Sequence, residues 1–229
     1  MGVGHAAVAI GAAKVAPRVN VGWLIFAAFL ADFLLGLFAW AGLEQAHVPP
    51  DFAARHYLTF TFPYSHGLVS LIVWGALFGL LVSRIQHDDR MRVFLLIAAL
   101  VLSHYVLDGL VHVAGLPLAG ENSPKFGLGL WKHLTLELTL ESVMTVVAIV
   151  IFLRIPSVSA SARSRWGIPI FLVLLAALTW AQLGTTQPPT PSQLIPDWIV
   201  APILFSGIVY ALDRKRAGQA QSAMRAGMS

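Results

Sequence analysis

Five or six apolar stretches, each close to the length needed to cross a bilayer, follow one another along this chain of 229 residues. A membrane-spanning helix requires about 20 mainly apolar residues. Only 11% of the residues are charged, which is too few to cover the surface of an ordinary soluble domain. The sequence therefore predicts an all-α, polytopic transmembrane helical bundle with about six spans, at residues 22–43, 65–83, 92–113, 134–153, 167–183 and 198–212.

The segment before the first span is short and rich in glycine and alanine. Residues 2–16 are apolar up to Lys14, and Pro17 then predicts a turn. Small residues let helix backbones approach closely in lipid, so we expect a short N-terminal helix packed against its neighbours. We expect the transmembrane domain to comprise residues 1–213, with an outer loop at 184–198 and a solvated, basic cytoplasmic tail at 214–229.

Positive charge is distributed unequally between the two sets of connecting loops. Loops on the cytoplasmic side of a membrane protein carry the excess of lysine and arginine. This asymmetry predicts that the N-terminal hairpin turn and the C-terminus are cytoplasmic, and the high isoelectric point then reflects membrane anchoring rather than nucleic-acid binding. Twelve of the 15 basic residues fall on one side: Lys14, Arg18, Arg84, Arg90, Arg92, Arg154, Arg163, Arg165, Arg214, Lys215, Arg216 and Arg225.

Three ionisable residues interrupt the third span. His104, Asp108 and His112 stand four residues apart in LSHYVLDGLVH, so they share one helix face. Ionisable groups inside a membrane span are rare, face the interior of a bundle, and mark functional sites. The face therefore predicts a functional site with three candidate metal ligands.

Residues from two other segments are expected at the same depth. At 1.5 Å per helical residue, His5 lies about 18 Å from the Pro17 turn, and Asp32 lies about 16 Å from it on the returning helix. His104 lies about 18 Å from Arg92 at the cytoplasmic end of its own span. Three polar residues from three segments are therefore expected to converge within the bundle.

A second group of candidate ligands lies nearer the outer surface. His66 opens the second span, and His133 and Glu137 form another pair four residues apart at the start of the fourth. Because the chain has no cysteine, any metal site must use imidazole and carboxylate ligands, which suits zinc or a harder divalent ion. Hydrogen-bonded pairs that hold the bundle together are the structural alternative. The complete set of predicted ligands is His5, Asp32, His66, His104, Asp108, His112, His133 and Glu137.

The order of these residues resembles the metal-binding order of the zinc-dependent phospholipase C and P1 nuclease superfamily. More closely, the early Gly-His pair and the segments PYSHGL, SHYVLDGLVH and KFGLGLW resemble the bacterial membrane-bound metal-dependent hydrolases of the YdjM-like family, over residues 2–153. The resemblance implies an enzyme of the bacterial inner membrane that holds one or two divalent ions, with zinc first among them, and hydrolyses a phosphoester or lipid substrate.

By the same resemblance, His5, Asp32, His66, His104 and Asp108 form the first part of the ligand set. His112, His133 and Glu137 correspond to a second metal position.

Asp32 is a candidate both for a metal ligand and for the general base that orients the attacking water. Three other functions use the same residues: a divalent metal transporter or metal-binding membrane protein, a haem-binding cytochrome, and a purely structural scaffold. A transporter predicts polar residues continuing to the cytoplasmic face, whereas the spans below Asp32 and His104 are apolar. Haem does not require carboxylates near its axial histidines, and such carboxylates are costly in a membrane.

Overall fold

A computed structural model describes residues 2–86, 89–159, 161–185 and 187–227, which are mostly helical. Two short hairpins pair antiparallel, β1 (Gln45–His47) with β2 (Thr59–Thr61) and β3 (Leu116–Pro117) with β4 (Lys125–Phe126). The α-helices are α1 (Gly2–Ala12), α2 (Val21–Ala28), α3 (Leu30–Trp40), α4 (Phe52–Arg55), α5 (Leu68–Ile85), α6 (Arg90–Val111), α7 (Leu134–Leu153), α8 (Pro156–Ser159), α9 (Ala162–Trp180) and α10 (Pro191–Gly227). Two 3-10 helices, Leu130–His133 and Ala181–Gly184, flank α7 and α9.

The long helices have the length and composition of membrane spans. Within the described ranges, five helices are long and apolar enough to cross a membrane, and the bent pair α2 and α3 makes a sixth. Large apolar side chains such as Ile72, Leu77 and Val146 are exposed on the helices, as expected for surfaces that face hydrocarbon. The structure thus confirms the predicted all-α bundle of about six spans with a short N-terminal helix.

The N-terminal helix α1 lies at the centre of the bundle, where it contacts α2, α6, α7 and α9. Its residues Ala6, Ala9 and Ile10 are fully buried. Small side chains allow the neighbouring backbones to approach, which explains why a helix of only 11 residues can fill the core. The first few residues of α1 are thereby fixed among the long helices.

The first span is not the continuous helix that the sequence predicts. It begins at the cap Asn20, whose side chain accepts the Gly22 N–H, and it bends by 52° between α2 and α3. The break falls at Phe29, which has non-helical backbone angles, with neither proline nor glycine at that position. The bend places Asp32 in the first turn of α3, directed into the bundle.

Three parts of the chain meet at the end of the bundle that carries most of the basic residues. Arg92, at the start of α6, donates to the Val15 carbonyl, and Arg216 of α10 donates to the Pro17 carbonyl. The turn around Pro17, the start of α6 and the last part of α10 therefore lie on one side, which we call the basic end. The β1–β2 and β3–β4 hairpins connect the helices at the opposite end, which we call the hairpin end.

The last helix is longer than the sequence predicts. The stretch 184–198 is a loop only in part, because α10 begins at Pro191, and residues 214–227 of the predicted tail continue the helix to Gly227. Asp213 and Arg216 are fully buried as an ion pair. Asp213 accepts the Val21 N–H at 2.9 Å, and Arg216 donates to the Val19 carbonyl at 2.9 Å. These bonds fasten α10 to the turn before α2.

Candidate metal centre

Five of the predicted ligands meet inside the bundle, and we call them the candidate centre. His5 comes from α1, Asp32 from the first turn of α3, and His66 from the residues just before α5, while His104 and Asp108 lie one turn apart on α6. Four of the five are buried, and the Asp32 side chain is 27% exposed. The predicted convergence of these segments is therefore observed.

The candidate centre contains two overlapping groups that could hold a metal ion. His5, His104 and Asp108 form one group, and Asp32, His66 and His104 form the other. Within each group, one ligand atom per residue lies within 4.8 Å of the others. His104 belongs to both groups, but its Nε2 atom can bind only one ion. The two groups therefore cannot both use His104 at the same time.

The imidazoles of His66 and His104 direct their Nε2 atoms toward each other. The Nδ1 atom of His104 lies 2.8 Å from the Ala28 carbonyl oxygen, and the Nδ1 atom of His66 lies 2.7 Å from Ser65 Oγ. Their Nε2 atoms face one another at 3.2 Å. A carbonyl oxygen can only accept a hydrogen bond, so Nδ1 of His104 carries a proton. When the ring is neutral, its Nε2 therefore carries a lone pair.

The spacing of these atoms fits a shared cation. Two ligand atoms that lie 2.0–2.1 Å from a tetrahedral ion are separated by roughly 3.4 Å. The Nε2 atoms at 3.2 Å match this value, and Asp32 Oδ1 lies 3.8 Å from His66 Nε2 and 3.9 Å from His104 Nε2. A buried histidine and aspartate group that could hold a metal ion is thus present.

Asp108 connects the two groups through its two carboxylate oxygens. Oδ1 lies 3.1 Å from His5 Nε2, and Oδ2 lies 3.2 Å from the Nε2 atoms of both His104 and His112. The same Oδ2 atom is 3.7 Å from His66 Nε2. The rings of His5 and His104 stack with centroids 3.9 Å apart, and their Nε2 atoms contact different oxygens of this carboxylate.

A cavity of about 150 Å³ opens onto the candidate centre. Its polar wall is formed by His5, Asp32, His66, Asp108 and His112, and the remainder is apolar and largely aromatic, with Leu35, Phe60, Phe62, Trp131 and Trp198. Gly2, Phe60, Trp131 and Trp198 also line a second cavity of about 210 Å³. That cavity shares residues with a third, of about 720 Å³, beside the segment that precedes α10.

The three residues predicted for a second metal position have different surroundings. His112 directly follows α6, is buried, and packs on Trp131 with ring centroids 4.0 Å apart. Glu137 is buried on α7 and lines the second cavity.

The structure does not bring His133 to the candidate centre. Its side chain is exposed at the end of the 3-10 helix Leu130–His133, while Glu137 is buried in α7. The four-residue spacing aligns side chains only within an α-helix, because a 3-10 helix has 3.0 residues per turn. The two residues therefore do not share a face.

Sequence reasoning missed two groups that contact the candidate centre from outside. The Ala28 carbonyl is bonded to His104, and Ser65 is bonded to both His66 and the buried Glu44. Glu141 of α7 accepts the Gly4 N–H at 3.2 Å and so holds α1 against α7. A Ser-His pair beside a span start was the available signal for Ser65, but the contact with Glu44 depends on how the loop folds.

No protein-family model, curated protein or solved structure matches this chain significantly.

Proposed function

We propose that the protein is a membrane-embedded, metal-dependent hydrolase that cleaves a phosphoester in an amphiphilic substrate. The observation that carries this proposal is the pair of Nε2 atoms of His66 and His104, which face each other at 3.2 Å beside two carboxylates. Two imidazole lone pairs at this distance repel each other unless a proton or cation lies between them. The metal-dependent hydrolases that the sequence resembles provide the reaction class.

The donor set supports one or two divalent ions, with zinc as the first choice. Neutral imidazole nitrogen and carboxylate oxygen are the ligands that zinc accepts in catalytic sites. His66 and His104 with Oδ2 of Asp108 would hold one ion, and His5 with Oδ1 of Asp108 would hold a second. A bound divalent ion supplies Lewis-acid chemistry toward water and toward a phosphoryl oxygen.

The residues around the candidate centre would organise the reaction. Asp32 borders the cavity and is the most exposed of the five residues, so its carboxylate would accept the proton of the attacking water. Phe60, Phe62 and Leu35 form an apolar wall that would exclude bulk water. The two neighbouring cavities would provide the route for a substrate larger than an ion.

We further propose that the protein lies in the inner membrane of a bacterium with its basic end in the cytoplasm. The clustering of basic residues around Arg92 and Arg216 supports this orientation. The candidate centre would then open toward the outer half of the bilayer, where lipid is the partner and nucleic acid is not.

Two other functions use the same residues but are less well supported. A transport path would need polar groups between the candidate centre and the basic end, where the described part of the bundle packs through Ile10, Ile97 and Phe152, all fully buried. A haem group would place its axial histidines beside two carboxylates, which suit a divalent ion better. Metal-dependent uptake into proteoliposomes would favour transport, and a Soret band would favour haem.

The proposal is tested by elemental analysis and by lipid hydrolysis with the same purified protein. We expect one or two zinc ions per chain, and hydrolysis of a phosphodiester lipid that stops on chelation and returns with zinc. Asp108→Ala should lose the metal and the activity, because its two oxygens contact both groups. Asp51→Ala, at the start of α4, is the control and should keep both. Unchanged metal in Asp108→Ala, or hydrolysis that is insensitive to chelation, would contradict the proposal.

A further inference from the structure

Glu44 lies in the connection between α3 and β1, yet its side chain is 1% exposed. Its Oε1 atom accepts the N–H groups of Tyr64 and Ser65 at 2.8 and 2.9 Å. Its Oε2 atom accepts the Ser65 hydroxyl at 2.6 Å. The carboxylate therefore receives three hydrogen bonds from the two residues that precede His66, although it contributes no atom to either metal-binding group.

The direction of these hydrogen bonds determines which ring nitrogen of His66 carries the proton. Ser65 has one hydroxyl hydrogen, and an ionised carboxylate can only accept, so this hydrogen is directed to Glu44. The Ser65 oxygen can then only accept from Nδ1 of His66, which lies 2.7 Å away. The Nδ1 atom must carry the proton, and Nε2 is left with its lone pair directed at His104 and Asp32.

We propose that Glu44 is a positioning residue that acts through Ser65 to hold His66 in the tautomer that binds metal. Polar groups that orient a metal-binding histidine from behind typically raise metal affinity by about 10- to 100-fold. The inference rests on the proposed metal site and not on the reaction that the site performs. It also gives the connection between α3 and β1 a role in the centre.

Glu44→Gln provides a sharp test because it preserves the shape of the side chain and reverses the direction of the hydrogen bonds that run through Ser65 to His66. The glutamine oxygen can still accept the two backbone N–H groups, and its NH₂ group can donate to Ser65. Ser65 would then donate to Nδ1 of His66, which moves the imidazole proton to Nε2. That proton occupies the position at which the ion would bind.

Metal affinity can be measured by competition with a chromogenic zinc chelator. We expect Glu44→Gln and Ser65→Ala each to weaken zinc binding by about 10- to 100-fold. Ser65→Thr keeps the hydroxyl and should bind zinc as tightly as the wild-type protein. The control is Ser70→Ala, which removes a hydroxyl that donates to the Pro63 carbonyl nearby and should not change zinc affinity. Equal affinity in Ser65→Ala and Ser65→Thr, or wild-type affinity in Glu44→Gln, would overturn the proposal.

The tautomer itself can be observed without metal. In protein labelled with ¹⁵N-histidine, the His66 signals, identified by their loss in His66→Gln, should show the proton on Nδ1 in the wild type and on Nε2 in Glu44→Gln. The same tautomer in both proteins would overturn the inference. A wild-type protein that binds zinc and shows the expected tautomers but hydrolyses no lipid would contradict the proposed function and leave the positioning role supported.

Discussion

Asp32 differs from the other residues of the candidate centre in its exposure and its distances. Its side chain is 27% exposed, whereas that of Asp108 is 4% exposed. Its nearest contacts with the imidazole nitrogens are 3.8 and 3.9 Å, and those of Asp108 are 3.1 and 3.2 Å. Asp108 is thus placed to hold an ion, and Asp32 is placed to meet what enters the cavity.

We therefore expect Asp32→Asn to separate catalysis from metal binding. An amide cannot accept the proton of the attacking water, so hydrolysis should fall by about 100-fold or more. Bound zinc should remain above half of the wild-type content, because the histidines and Asp108 are retained. Turnover and elemental analysis on the same preparation measure both quantities, with Asp51→Asn as the control. Loss of zinc in proportion to activity would instead identify Asp32 as an essential ligand.

The ligand residues were predictable from sequence where spacing or depth determines position. His104 and Asp108 share a face of α6, and the rise per residue brings His5 and Asp32 to the same level. Glu44 was not predictable, because an acidic residue beside a span end is ordinarily solvated and its burial depends on the fold of residues 62–66.

At the scale of helices, the contact between α2 and α10 depends on one glycine. A Cβ atom added at Gly22 would lie 2.5 Å from the Tyr210 Cβ atom and 2.7 Å from the Ser206 carbonyl oxygen. The two backbones can therefore approach only because no side chain is present there. A Cβ atom added at Gly11, on α1, would have no other atom within 4 Å of it.

Gly22→Ala and Gly11→Ala should consequently have opposite effects on stability. The first forces α2 and α10 apart, and we expect a loss of about 1–3 kcal/mol in the free energy of unfolding. The second adds a better helix former without a clash, and we expect a change from zero to a gain of about 1 kcal/mol. Thermal unfolding of both variants in one detergent provides the comparison. Equal stability of the two variants would show that the helices do not meet at Gly22.

Hydropathy and composition predicted most of the helices but not their irregularities. The bend at Phe29 has no proline or glycine to indicate it in the sequence. The early start of α10 at Pro191 was hidden by a proline-rich segment that reads as loop. Proline is tolerated in the first turn of a helix, where its missing N–H has no helical partner.

At the scale of the whole molecule, the basic end and the hairpin end should face opposite sides of the membrane. The chain has no cysteine, so a single introduced thiol reports its own side without interference. We expect Asn122→Cys, in the β3–β4 hairpin, to react with a membrane-impermeant maleimide on intact cells. Arg163→Cys, in the first turn of α9, should react only after the membrane is opened.

Both positions are exposed, so a difference in labelling reflects sidedness and not burial. Labelling of detergent-solubilised protein serves as the control, in which both thiols should react equally. Reaction at residue 163 on intact cells would reverse the proposed orientation and place the candidate centre toward the cytoplasm.

The bend in the first span gives His104 a second role, which is separate from its place in the candidate centre. Ala28 is the last residue of α2, and its carbonyl has no partner farther along that helix. A bare carbonyl in hydrocarbon costs several kcal/mol, and the His104 ring covers it at 2.8 Å. His104 therefore completes the hydrogen bonding of a helix end as well as contributing to the candidate centre. Replacing it would uncover this carbonyl in hydrocarbon whether or not an ion is bound, so the kink by itself constrains the residue at position 104.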